Sequence, residues 1–149
     1  MAKIFTIGFT RKTAEEFFGL LEDNGVTKVI DVRLNNTSQI LGFTKWYDLK
    51  YFLHKILGAE YFHDRKFAPS EKILTRYKKN FIGWDDYEKE FAELMKYRDI
   101  DTYIADKYSG KENYCLLCSE VSADYCHRRL VAEKIRDVLE DEDIEIVHL

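Results

Sequence analysis

The chain has 149 residues, a net charge of −4, 46% hydrophobic and 34% charged residues. That composition describes one folded domain with a real core, and it excludes a disordered chain and a protein held to nucleic acid by a global basic field. No apolar run approaches the roughly 20 residues a membrane span needs, and "MAKIFTIGF" has no signal-peptide pattern, so the expectation is a cytoplasmic protein without a membrane partner.

"KIFTIG" (3–8) reads as a first strand by its alternation. The helix that follows opens on a capping-box pair, Thr13 and Glu16, carries Ala14, Phe17, Phe18 and Leu21 as its apolar stripe, and stops at Gly25. "VTKVIDVR" (26–33) is nearly continuous in Val and Ile, the pattern of a strand covered on both faces. Together these make a right-handed βαβ unit. "LNNTSQILGFTKWYD" (34–48) is a long polar loop, which invites a functional reading. A helix is then expected with Asp48 as cap and Gly58 as stop, followed by a short strand at 59–63. "PSEKILTRYKKN" reads as a helix. "WDDYEKEFAELMKYR" reads as another, with Asp85 and Glu88 as a second capping box, and a further short helix follows it. "NYCLLCSE" (113–120) is an apolar strand, "DYCHRRLVAEKIRDVLEDE" a helix and "IEIVHL" a closing strand. The fold expected is three-layer α/β, with a mainly parallel sheet of about five strands and a helical insertion between two βαβ halves, all one domain over 1–149.

All three cysteines fall within residues 113–135. "CLLC" (115–118) has C-x-x-C spacing, but inside a strand residues i and i+3 point to opposite faces, so Cys115 and Cys118 are expected to be buried apart. Cys126 and His127 are expected at the second and third positions of the next helix, behind an Asp124 cap. There they would face the sheet seam, with Cys118 and Glu120 approaching from the strand end. Arg129 aligns with Glu133 as a surface pair.

In an open α/β sheet, ligands bind beyond the carboxyl ends of the strands. The groups expected there are Gly8 and Thr10 after the first strand, Asp31 and Arg33 after the second, and Cys118 and Glu120 after the fourth. Several readings follow. An anion such as a nucleotide or nucleic-acid end could be held by Arg33 and Arg128 near the helix start. Asp31 or Glu120 would then serve as base, and His127 as proton shuttle. The same charges could instead form a buried structural network in a non-catalytic or nucleic-acid-associated module. Cys118, Cys126 and His127 could also be a metal site, or Cys126 a reactive thiol. No cofactor is named by these residues. "TIGFTR" lacks the glycines and G-K-[ST] tail of a P-loop.

"TIGFT", "DVRLNNTSQILGFTK" and "LLCSEVSADYCHRRLVAEKI" before "IVHL" resemble, in that order, the motifs of the DUF-488 family of bacteria and archaea. The resemblance implies a compact cytoplasmic α/β protein. It carries over Gly8, Thr10, Asp31, Arg33, Cys118, Glu120, Cys126, His127 and Arg128 as pattern positions, joined by Ser38, Gln39, Gly42 and Lys45. Within "YFHDRKFAPS", His63 matches a further family segment whose glycines and first proline are missing here. The resemblance implies no specific activity.

Overall fold

The computed structural model describes residues 2–37, 41–108, 112–120 and 122–149. Ser38 and Gln39, two of the loop residues singled out above, lie outside the described residues.

Five strands form one sheet in the order β3-β2-β4-β1-β5, and every pairing is parallel. They are β1 (Ala2–Gly8), β2 (Lys28–Asp31), β3 (Glu60–His63), β4 (Tyr114–Cys118) and β5 (Ile144–His148). On one face lie α1 (Ala14–Asp23) and α2 (Trp46–Leu57), which cross from β1 to β2 and from β2 to β3. On the other lie α3 (Glu71–Lys78), α4 (Trp84–Tyr97), α5 (Ile100–Lys107) and α6 (His127–Val138). The first three of these are the insertion between β3 and β4. The strands alternate between two cores. Phe5, Ile7, Val29, Cys115 and Leu117 pack with Phe17, Phe18, Leu21, Leu49 and Leu53 from α1 and α2. Ile4, Ile30, Leu116 and Cys118 pack with Phe91, Met95, Ile104, Val131 and Ile135 from the opposite layer. The period of two in the strands therefore splits Cys115 from Cys118 across the sheet. No helix among the described residues is long and apolar enough to cross a membrane.

The α1 cap forms as its sequence predicts, with Thr13 Oγ1 accepting from the Glu16 N–H at 3.1 Å. Gly58 closes α2 in the left-handed region, φ +67°. Three other helix starts differ from expectation. The α2 helix begins at Trp46, so Asp48 lies inside its first turn. The α4 cap is Gly83, which puts Asp85 and Glu88 past the positions a capping box needs. Asp124 is not the α6 cap. Its N–H is taken by Ser122 Oγ, a further turn runs from Ala123 O to Cys126 N, and the helix starts only at His127 with Cys126 as cap.

β2 and β4 are neighbours, yet β2 connects outward to β3 and β4 connects the other way to β5. Their connections diverge, so a crevice opens beyond their carboxyl ends, where α/β sheets bind ligands.

Candidate functional site

That crevice holds a pocket of about 540 Å³. Arg33 and Leu34 after β2, and Cys118, Ser119 and Glu120 at the end of β4, form part of its lining. Cys126 and His127 at the start of α6 close the floor. The insertion supplies the wall, with Tyr77 and Lys78 from α3 and Trp84 and Tyr87 from α4, and Tyr125 completes it. Trp84 stacks on Tyr87 with centroids 5.0 Å apart, and Tyr77 and Tyr125 meet the same indole at tilted or edge angles. Lys78, Glu120 and Tyr125 are exposed, while Cys118, Cys126 and His127 are buried.

The floor has a defined hydrogen-bond order. His127 Nε2 lies 2.7 Å from the Val32 carbonyl oxygen. A carbonyl only accepts, so Nε2 carries a proton, and in the neutral ring Nδ1 carries the lone pair. Nδ1 faces Cys118 Sγ at 3.7 Å. The hydrogen bond from Cys126 lowers the Cys118 thiol pKa against the opposing effect of burial, aided by the Ser119 backbone and the Arg128 charge. Cys126 is pushed well up, first by that same bond and then by burial. Cys115, across the sheet, is raised by burial.

Asp31 and Arg33 form a separate buried network. Arg33 donates from Nε to Asp31 Oδ1 at 2.8 Å and from Nη2 to Oδ2 at 2.7 Å, and its backbone N–H reaches Oδ1. Tyr61 OH donates to Oδ2 at 2.5 Å. Burial opposes the Arg33 charge, and the Asp31 bonds overcome it, raising its pKa. Tyr61 is raised by burial and then by the Asp31 charge. Arg33 Nη2 also reaches the Thr44 carbonyl, just before Lys45. Buried Nη1 has no hydrogen-bond partner among the described residues.

Arg128 follows a third course. It is 1% exposed, and it donates from Nη1 to the Glu120 carbonyl and from Nε to Thr6 Oγ1. Thr10 clamps the same turn, donating from its hydroxyl and its N–H to the Ser119 carbonyl. Gly8 lies beneath that turn, where an added Cβ would sit 1.6 Å from Glu120 O and 2.9 Å from Arg128 Nη1. Gly8, Thr10 and Arg128 thus hold the end of β4 in place, and Lys45 precedes the first turn of α2. Of the residues singled out in the sequence, the pocket brings together Arg33, Cys118, Glu120, Cys126 and His127. Asp31, Gly8, Thr10, Lys45 and Arg128 lie outside its lining. The aromatic wall and Tyr61 had no place among the candidates. Ten tyrosines in the chain dilute any signal from composition, although Arg76, Tyr77, Lys78 and Lys79 read in the sequence as a small basic helix segment, either a solvated face or a phosphate contact.

The sequence model of the DUF488 family, described as a domain of unknown function, matches residues 13–135. The chain belongs to the DUF488 family. The match takes in the β2 end, the insertion, β4 and most of α6, so every pocket residue named above lies within the DUF488 segment. A search of curated proteins finds no match, and neither does a search of solved structures.

Proposed function

We propose that this pocket binds an anionic ligand of the nucleotide or nucleic-acid-end class. The observation that carries this reading is Arg33, a buried guanidinium on the pocket lining whose Nη1 has no hydrogen-bond partner among the described residues. A buried donor without a partner costs about 1–3 kcal/mol, and a small shift of the guanidinium toward the pocket, bringing Nη1 to an anionic oxygen, would remove that cost. Trp84 and Tyr125 offer ring faces for a base, and Lys78 a second cation near the rim. Exposed Glu120 is the carboxylate on the lining placed to accept a proton from bound ligand, whereas Asp31 is occupied by Arg33 and Tyr61.

The test is titration with AMP, adenosine and inorganic phosphate, followed by Trp84 fluorescence in a Trp46→Phe background that removes the other tryptophan. AMP is expected to saturate the signal and bind more tightly than adenosine. Trp84→Leu, followed by calorimetry, should weaken AMP by about 1–3 kcal/mol, the usual worth of one base stack. Lys78→Ala, exposed and safe for the fold, should weaken AMP more than adenosine. Absence of saturable AMP binding, or equal affinity for adenosine and AMP, refutes the reading.

The Asp31 network favours a second reading, in which the charges beyond β2 serve the fold alone. In that case Lys78→Ala and Trp84→Leu leave every ligand measurement unchanged.

A further inference from the structure

The sulfurs of Cys118 and Cys126 and a ring nitrogen of His127 lie within 4.8 Å of one another, and all three residues line the pocket floor. We propose that Cys118 Sγ, Cys126 Sγ and His127 Nδ1 form a three-ligand site for a divalent ion of the zinc class, with its fourth position facing the pocket. Two thiolates and an imidazole are the donor set that borderline-soft ions prefer, and three protein ligands with one open position are the arrangement of catalytic rather than structural zinc.

Three independent features support the site. The first is spacing. Zinc–sulfur and zinc–nitrogen bonds of about 2.3 and 2.0–2.1 Å at tetrahedral angles place neighbouring ligand atoms roughly 3.5–3.8 Å apart. Cys118 Sγ and His127 Nδ1 are already 3.7 Å apart. The second is orientation. The Val32 carbonyl holds the Nε2 proton at 2.7 Å, which leaves Nδ1 unprotonated and turned toward the sulfurs. A metal-binding histidine is typically fixed in this way, through its other nitrogen and a backbone carbonyl or carboxylate. The third is charge. Two thiolates, a neutral imidazole and a divalent ion sum to zero, which removes much of the cost of placing an ion where Cys118, Cys126 and His127 are only 5%, 2% and 6% exposed.

Cys126 and His127 are adjacent in sequence, a spacing that fits no common zinc pattern. The backbone accounts for their convergence. Cys126 is extended, φ −133° and ψ 137°, while His127 begins α6. The change of conformation at the cap turns the two side chains to the same side, where Cys118 meets them from the end of β4.

The site does not depend on what the aromatic wall binds, so it is tested on the full chain without nucleotide. Chelator-stripped protein is titrated with Zn2+ against a competing indicator, and with Co2+ by absorption. The expected result is one ion per chain, with tetrahedral cobalt bands and sulfur-to-cobalt charge transfer. Loss of an outer partner of a metal site typically lowers affinity about 10–100-fold, so Cys118→Ser, Cys126→Ser and His127→Gln should each lower it by at least that much. Cys115→Ala, across the sheet, should leave it unchanged. Circular dichroism confirms that each variant folds. If one does not, the wild-type protein decides through 15N shifts of the His127 ring, which should show coordination at Nδ1 with Nε2 still protonated. Substoichiometric binding, cobalt spectra without sulfur bands, an unmoved His127 signal or undiminished affinity in folded Cys118→Ser overturns the proposal. AMP binding is measured separately on metal-free and metal-loaded protein, so failure of one site is not mistaken for failure of the other.

Discussion

Replacing Asp31 by Asn keeps the shape of the side chain and removes its charge. In the native protein the carboxylate accepts from Arg33 Nε, Nη2 and backbone N–H and from Tyr61 OH, at 2.5–3.1 Å, with Asp31 0% and Arg33 4% exposed. An asparagine leaves the guanidinium charge uncompensated in the interior, and its amide nitrogen must point a donor at another donor. Breaking a buried pair from one side costs about 3–5 kcal/mol. For a chain of this size each kcal/mol lowers Tm by roughly 2–4 °C, so the midpoint should fall by about 6–20 °C. Urea unfolding followed by far-UV circular dichroism measures the change directly. The decisive comparison is a double-mutant cycle with Arg33→Met. Once Asp31 has lost its charge, removing the orphaned guanidinium should cost far less than it does in the wild type, a coupling of about 1–3 kcal/mol. A loss below about 1 kcal/mol for Asp31→Asn, or costs that simply add, would show that the pair is not the electrostatic unit described above.

Gly8→Ala should cost well over the usual 1–3 kcal/mol of overpacking or abolish folding, because its Cβ meets backbone at Glu120, whereas Gly19→Ala, inside α1 with nothing within 4 Å, should stabilise by about 0.5–1 kcal/mol in the same urea assay. Asp64 accepts from Tyr103 OH at 2.6 Å and Tyr108 OH at 2.5 Å, so Asp64→Leu should cost about 3 kcal/mol or more, and thermal unfolding that matches the wild type would refute its role as an anchor for α5. His148 Nδ1 pairs with Thr6 Oγ1, which also accepts from Arg128, and its pKa is lowered from 6.5 first by burial and then by Arg128 and Arg129, against Glu133 and Asp124. The folded state therefore binds this proton less readily than the unfolded chain, so its contribution is whole above pH 6.5 and is lost as pH falls through the folded value. His148→Gln should flatten that part of the stability–pH curve, and an unchanged slope refutes the assignment.

The sheet was legible because its signals are local. The nearly continuous Val and Ile of residues 26–32 mark a strand covered on both faces, Thr13 and Glu16 mark the start of α1, and strand parity alone separates Cys115 from Cys118. Helix starts were less legible where several polar residues compete. Near α6, Ser122 and Asp124 are both good caps in isolation, but Ser122 captures the Asp124 N–H and the chain turns again before it can wind. The aromatic wall was illegible for a different reason. A helical period shows that α3 and α4 each bury a face, but not that Tyr77 and Trp84 close over the ends of β2 and β4, because that is settled by how an insertion folds back across the sheet. Asp64 shows the same limit, since its hydroxyl partners lie 39 and 44 residues away.

The convergence of charges at the carboxyl edge separates, in three dimensions, into groups with different work. Arg128 and Thr10 hold the 119–120 turn and Gly8 leaves room for it, and that turn carries Cys118 and Glu120 to the pocket. The Val32 carbonyl orients His127, and the next carbonyl along the chain, that of Arg33, accepts from His63 Nε2 at 2.6 Å. Two histidines from distant segments therefore fasten the exit of β2, but only His127 presents its other nitrogen to sulfur. A residue that fastens the frame should be read out in stability and one that faces the pocket in binding. Arg33 belongs to both groups, since it pairs with Asp31 and also forms part of the pocket lining. Its substitution alone is therefore a poor probe of function. Lys78, exposed on the lining and not bonded to the sheet ends, can separate ligand binding from folding, whereas Trp84 also stacks on buried Tyr87.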